Sequence, residues 1–283
     1  EPVTGSVEFT KVDALGKALA GVEFTVSPVA VEEVECSTAG KMPGDKDCNP
    51  RGTGRFVAPN SAPVTVRSND DGFVKFYGLP AGRWRLTENV GDSHLQAIEP
   101  VEFTITRCTG SECTNLRGLK LTLGVGGKVV NDKGRVSLSK LGVRGMAGKG
   151  KDFGEWQRGD GVVKAGASFN LYKGKGTGEL VRSVTTEGPS GSVVLDNLVV
   201  NQVYTLQETK APEGYTQNSE LMYFQVGADG RLLDADGNLL LEQRELLVPN
   251  EESKKESSIV VTKVDPTADE ADKFLKGAEF GLF

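Results

Sequence analysis

The chain has 283 residues, a net charge of −6, a pI near 5.1 and an even spread of hydrophobic residues at 37%. That length suits about two domains with a remainder. No apolar run approaches the roughly 18 residues of a membrane span, and the scattered basic residues lack the aromatic interleaving of a phosphate-tracking surface, which argues against membrane insertion within this chain and against nucleic acid as a partner. The sequence opens at Glu1 without methionine or a signal-type segment, so it reads as soluble and as a processed product or fragment whose targeting signals lie outside it.

Gly is abundant at 36 residues, turn signals recur about every ten residues, and strongly amphipathic helical stretches are absent. These features predict an all-β architecture of short strands. In chain order, the first strand is Val7-Glu-Phe-Thr-Lys-Val-Asp13, and alternation puts Val7, Phe9 and Lys11 on one face. Leu19-Ala-Gly-Val-Glu-Phe24 follows, then an insertion bearing Cys36 and Cys48, with Cys108 and Cys113 further on. Three pairings of the four cysteines are formally possible. Neither spacing is the two-residue knuckle of a zinc site and the only histidine, His94, stands apart, so the local disulfides Cys36–Cys48 and Cys108–Cys113 are the preferred reading and no metal is expected. Each would add about 2 kcal/mol and place the chain in an oxidising, extracellular setting. Asp71–Leu79 and Trp84-Arg-Leu-Thr-Glu88 come next, with Trp84, Leu86 and Glu88 on one face, and the unit closes on Lys128-Val-Val-Asn131.

The same order then repeats. Val136-Ser-Leu-Ser-Lys140 matches the first strand, and Lys164-Ala-Gly-Ala-Ser-Phe169 the second echo. Ser190–Leu198 with Tyr204-Thr-Leu-Gln-Glu208 matches the third block, and Leu247-Val-Pro-Asn250 the end. From Glu to Asn is 43 residues in one unit and 42 in the other. A third start, Ile259-Val-Val-Thr-Lys-Val-Asp265, is followed by Leu275-Lys-Gly-Ala-Glu-Phe280, where the sequence stops. Domains are therefore expected at 1–133 and 134–252, with a linker at 253–257 and a truncated third domain at 258–283. Insertions account for unequal lengths: the cysteine-bearing loop in unit one and a Gly- and Lys-rich loop, roughly 142–161, in unit two.

Each complete unit aims one Lys, one Glu and one Asn inward. Isolated buried charges cost several kcal/mol, so the three side chains should meet or change protonation state. Burial favours the neutral amine, which is a nucleophile, and the protonated acid, which can polarise the Asn amide and shuttle the proton that lets ammonia leave. The product would be an amide between Lys Nζ and Asn Cγ. An ordinary buried ion pair beside a turn Asn is the simpler reading of one unit; repetition of all three positions favours the reactive one.

Lys-x-Asp in the first strand, the Gly-Ala-x-Phe block, Tyr204-x-Leu-x-Glu208 followed by Ala211-Pro-Glu-Gly-Tyr215, and the closing Asn resemble the CnaB-type repeats (collagen-adhesin B repeat, SpaA-like pilin) of Gram-positive surface proteins, over nearly the whole chain. The resemblance implies tandem prealbumin-like or Ig-like β-sandwiches with intramolecular isopeptide bonds: Lys11–Asn131 promoted by Glu88, and Lys140–Asn250 promoted by Glu208. Unit one has Val90-Gly-Asp-Ser-His94 in place of the Pro-Glu-Gly-Tyr segment, and Lys263 has neither Glu nor Asn partner. No Tyr-Pro-Lys-Asn pilin motif or Leu-Pro-x-Thr-Gly sorting signal is present in the sequence.

Other motifs have plainer readings. Arg158-Gly159-Asp160 is the integrin tripeptide but also common turn chemistry. Asp234-Ala-Asp-Gly-Asn238 is read as a hairpin turn, since its Gly falls too early for an EF-hand. Trp84 and Tyr204 are read as core. Without a Ser or Cys partner for His94, no hydrolytic triad is expected. The expected function is the stalk or shaft of a cell-wall-anchored adhesin or pilin. It would be no enzyme beyond single-turnover self-crosslinking, would need no cofactor, and would reach sortase and cell wall through regions outside this chain. Two alternatives stand beside it: a ligand-binding head that recognises host matrix protein or glycan through the domain 1 loops, and an accessory module with a non-covalent core network.

Overall fold

The computed structural model describes residues 4–58, 62–106, 117–150, 155–240, 245–253, 259–269, 276–277 and 279. It is all-β and forms two compact units, 1–252 and 253–283.

In the larger unit the first nine strands are β1 (Thr4–Asp13), β2 (Glu23–Cys36), β3 (Pro50–Val57), β4 (Val64–Arg67), β5 (Phe73–Pro80), β6 (Gly82–Asn89), β7 (Val101–Ile105), β8 (Arg117–Thr122) and β9 (Lys128–Asn131). β1 is antiparallel to β5 on one side and parallel to β8 and then β9 on the other. The opposing sheet runs β3-β2-β6-β7, with β4 also on β2. Inward residues of both sheets form one apolar cluster, in which Phe9 meets Phe24 edge to face at 4.9 Å. Fully burying side chains of this size stabilises by about 1.5–3 kcal/mol each. The chain passes from β8 to β9 through a tight turn at Gly124, where φ is +81° and a Cβ would lie 2.0 Å from Lys128 O, so only glycine fits.

The next nine are β10 (Lys133–Val143), β11 (Val162–Val163), β12 (Ser168–Lys173), β13 (Glu179–Thr185), β14 (Ser192–Val199), β15 (Tyr204–Lys210), β16 (Met222–Val226), β17 (Leu232–Leu233) and β18 (Glu245–Glu251). β10 repeats the role of β1: antiparallel to β14 and β11, parallel to β18. The facing sheet is β13-β12-β15-β16-β17. A second apolar cluster lies between these sheets, and a third small one gathers Leu141, Val143, Trp156 and Leu247 under the long loop. One residue, Asp132, separates β9 from β10.

In the smaller unit the strand expected at 259–265 is not formed, and Ile259 and Val261 are exposed. The physical reason lies in the other two copies, where the equivalent strand is flanked on both edges and covered by a facing sheet. Among the described residues of 253–283 there is no such partner strand.

Candidate functional site

Lys140 points from β10 into the core between the sheets, where alternation within β10 predicts it. Its cross-strand partner on β18 is Val248, while Asn250 is opposite Gly142, so Lys140 and Asn250 share a face and meet diagonally. Lys140 Nζ donates to Asn250 Oδ1. Glu208 enters from β15 of the opposing sheet, and its Oε1 lies 3.1 Å from Lys140 Nζ and accepts from Asn250 Nδ2 at 2.9 Å. The other carboxylate oxygen, Oε2, accepts from the Asn218 N–H at 2.6 Å. Lys140, Glu208 and Asn250 are 0%, 1% and 2% exposed, so all three are cut off from water. Burial pulls the Lys140 ammonium from 10.5 down to about 8, although the charge and hydrogen bonding of Glu208 oppose it.

The first sandwich repeats this geometry. Lys11 pairs with Val129 and Asn131 with Asp13, the same two-residue offset. Lys11 Nζ donates to Asn131 Oδ1, Glu88 Oε1 lies 3.1 Å from Nζ with both side chains fully enclosed, and Glu88 Oε2 accepts from the Ile98 N–H at 2.8 Å. Burial lowers the Lys11 pKa, against Glu88 and Asp132. The two sites differ at the amide. Asn250 Nδ2 donates to Glu208 Oε1, whereas Asn131 Nδ2 and Glu88 Oε1 have no hydrogen-bond partner among the described residues.

The structure thus brings together Lys11, Glu88 and Asn131, and likewise Lys140, Glu208 and Asn250. Two further contributors were not foreseen. Phe24 is the cross-strand partner of Glu88 and Phe169 that of Glu208, and the Phe169 ring centroid is 5.6 Å from Lys140 Nζ. The repeated Gly-x-x-Phe echo carried that signal. The clamping N–H groups of Ile98 and Asn218 each lie ten residues past their Glu, but a backbone donor leaves no mark in sequence. In unit two the Tyr215 ring covers Gly142, where a Cβ would be 2.5 Å away. Unit one instead has Asp13 at this place, with Oδ1 accepting from the N–H groups of Leu15 and Lys17.

Cys36 and Cys48 are free thiols on either side of the β2–β3 loop. Cys108 and Cys113 lie outside the described residues. Arg158-Gly159-Asp160 forms a single 3-10 turn whose charged ends are engaged within the molecule. Arg158 bonds both carboxylate oxygens of Glu245 at 2.5 and 2.8 Å, and Asp160 takes Lys149 at 2.6 Å. Asp234 Oδ1 accepts from the N–H groups of Asp236 and Asn238, closing a turn on itself. Trp84 and Tyr204 are buried core residues, Lys263 is exposed, and the His94 backbone bonds Gly230 and Arg135. Among the described residues no cluster of three metal-ligating side chains occurs.

The family model described as SpaA, prealbumin-like fold domain, matches residues 5–120 and 160–238. Among solved structures, the chain is similar to the Bacillus anthracis TIE protein at 19% identity and TM-score 0.29, over 88% of this chain and 34% of that one. It is also similar to a streptococcal ancillary pilin, at 18% identity and TM-score 0.30, over 89% and 63% of the two chains. A C-terminal fragment of the pilus adhesin SpaC from Lactobacillus rhamnosus GG matches at 15% identity and TM-score 0.30, over 91% and 100%. The chain therefore spans about a third of the first of these proteins and less than two thirds of the second. No curated protein sequence matches it.

Proposed function

Because the chain belongs to the family of SpaA prealbumin-like fold domains, we propose that it is a stalk segment of a cell-surface adhesin or pilin, whose two sandwiches each close on a self-made Lys–Asn isopeptide bond. The observation that carries this reading is the recurrence of one buried Lys–Glu–Asn cluster in one register, at Lys11/Glu88/Asn131 and at Lys140/Glu208/Asn250.

The reaction follows from the contacts. Neutral Lys Nζ attacks Asn Cγ, forming the Nζ–Cγ bond, and the Cγ–Nδ2 bond breaks. One amine proton passes through the Glu carboxyl to Nδ2, which leaves as ammonia. In unit two Glu208 Oε1 touches both ends of that proton path, 3.1 Å from the amine and 2.9 Å from the leaving nitrogen. No co-reactant is needed, and each site reacts once. Fixed geometry of this kind substitutes for a high concentration of reactant.

The strand order supports a mechanical role. β1 and β9 are parallel neighbours, as are β10 and β18. Tension applied at the two ends of such a unit shears the strands past each other, and a bond between them holds the register. The test is the intact mass of the reduced protein. A deficit of two ammonia molecules, falling to one in each of Glu88→Ala and Glu208→Ala, is expected. A wild-type mass without deficit refutes the covalent reading and leaves a non-covalent core network.

A second reading, a ligand-binding head, rests on the cleft beside the β2–β3 loop, lined by Val34, Pro43, Lys46, Cys48 and Pro50. Deleting residues 38–46 would abolish attachment to matrix protein or glycan if this cleft binds it, and would leave attachment unchanged if the chain is stalk alone.

A further inference from the structure

The segment after Glu88 does two things at once. It returns to Glu88, whose Oε2 accepts from the Ile98 N–H at 2.8 Å. On the way it docks on the second sandwich: the His94 N–H donates to Gly230 O at 2.9 Å, the Arg135 N–H to His94 O at 2.7 Å and the Gln96 N–H to Lys133 O at 2.8 Å. Leu95, opposite Gly134, is 4% exposed and belongs to the apolar core of the second sandwich, with Val90 packed beside it. The Gln96 side chain closes the far end, its Oε1 accepting from the Asn197 N–H at 2.7 Å. The approach is tight, since a Cβ on Gly230 would lie 1.9 Å from Ser93 Oγ.

We propose that residues 90–98 are a strap by which the folded second sandwich positions Glu88, so that the Lys11–Asn131 exchange in the first sandwich waits for the second to fold. The inference rests on the isopeptide reading above. The step is the one already balanced: Lys11 Nζ–Asn131 Cγ forms, Cγ–Nδ2 breaks, and ammonia leaves. The equivalent segment of unit two, from Glu208 to Asn218, docks differently: the Thr216 N–H donates to Glu251 O at 2.9 Å, on the strand that ends the same sandwich. Unit two therefore assembles its site from its own residues, whereas unit one borrows an anchor. The strap also accounts for the departure of Val90-Gly-Asp-Ser-His94 from the Pro-Glu-Gly-Tyr pattern, because this stretch serves as an interface.

The test uses the full chain, synthesised without cells and sampled over time, with each linked peptide pair quantified by mass after proteolysis. In wild type the Lys140–Asn250 bond is expected first and Lys11–Asn131 after it. Leu95→Ala and, at the half-buried end of the strap, Gln96→Ala are expected to slow the Lys11–Asn131 bond about ten- to a hundred-fold while the Lys140–Asn250 bond keeps its rate, which also certifies that the second sandwich has folded. Leu95→Met should restore the wild-type order. Faster hydrogen exchange at Ile98 in the slowed variants ties the loss to the strap. Wild-type rates at Lys11–Asn131 in both variants would overturn the strap and leave the isopeptide reading intact. Absence of either bond in wild type would instead refute that reading.

Discussion

Lys140 and Asn250 meet on a diagonal: each is directly opposite another residue, Val248 and Gly142, and the lysine reaches two residues along the neighbouring strand to find the amide. Lys11 and Asn131 repeat the offset. A directly opposed pair would hold Cβ atoms about 5 Å apart, too close for an extended lysine side chain; the diagonal uses its length.

Glu208→Ala should lose the second bond and one ammonia from the mass deficit. It strands a buried amine without its ion-pair partner, which costs about 3–5 kcal/mol. Closure of a loop of this length by a crosslink is worth roughly 4–5 kcal/mol more in the chain-entropy view. Intact mass and thermal unfolding together check both effects, and a deficit that stays at two ammonia molecules would reject the role of Glu208.

Asn250→Ala leaves Lys140 as an amine that still titrates. With a folded pKa near 8 against 10.5, the unfolded chain holds more protons between these values, so stability rises with pH through that window. The gain is on the order of 3 kcal/mol by pH 10.5, and the low-pH side carries the full penalty. In linked wild type this nitrogen is an amide and its contribution to the slope vanishes. Denaturant unfolding of both proteins from pH 7 to 10.5 reads the difference.

Oxidation should join Cys36 and Cys48, which stand on either side of the β2–β3 loop. The closed loop is short, so the stabilisation is about 3 kcal/mol at most and is concentrated in the β2–β3 hairpin. Limited proteolysis should cut between them under reducing conditions and leave the pieces joined under oxidising ones; Cys48→Ser should be cut apart in both.

Arg158-Gly159-Asp160 should fail as an integrin ligand while Arg158 is held by Glu245. Asp160→Glu is expected to leave cell adhesion unchanged. Arg158→Ala should cost up to about 1 kcal/mol through the lost ion pair. Adhesion lost in Asp160→Glu would reverse this assignment.

Single-molecule stretching gives a length signature. Linked sandwiches should release no hidden chain, whereas Glu88→Ala frees the 119 residues from Val12 to Val130, about 400 Å of contour. Equal extension of wild type and variant would mean that the first bond does not form.

Much of both sites is legible in the sequence, because burial of Lys11, Lys140, Glu88 and Glu208 follows from strict alternation beside apolar neighbours, and the repeat supplies register. Phe24 and Phe169 are visible as an echo without a role, since which face a second strand turns toward the first depends on how two sheets stack. Ile98 and Asn218 contribute main-chain N–H groups, which any residue type provides. Leu95 escapes for a different reason: its hydrophobicity serves the core of a neighbouring sandwich, and nothing local distinguishes that from its own. The exposed Ile259–Lys263 segment shows the converse, a sequence with the strand pattern that forms no strand because alternation sets faces but not neighbours.

With both crosslinks in place, the single residue between β9 and β10 gives the chain the connectivity of two large rings joined by a short bridge. A protease nick anywhere from 12 to 130 or from 141 to 249 opens a ring and severs nothing, because the second arm still connects its ends. Between the two rings, residues 132–139 form the bridge with no alternative route. They lie largely in β10, which is hydrogen-bonded on one edge to β14 and on the other to β18. The stretch that joins the two rings is thus paired with β14 along 133–139 and with β18 from Ser137 onward, so the doubly linked protein could accumulate cuts within either ring and still hold its two sandwiches together.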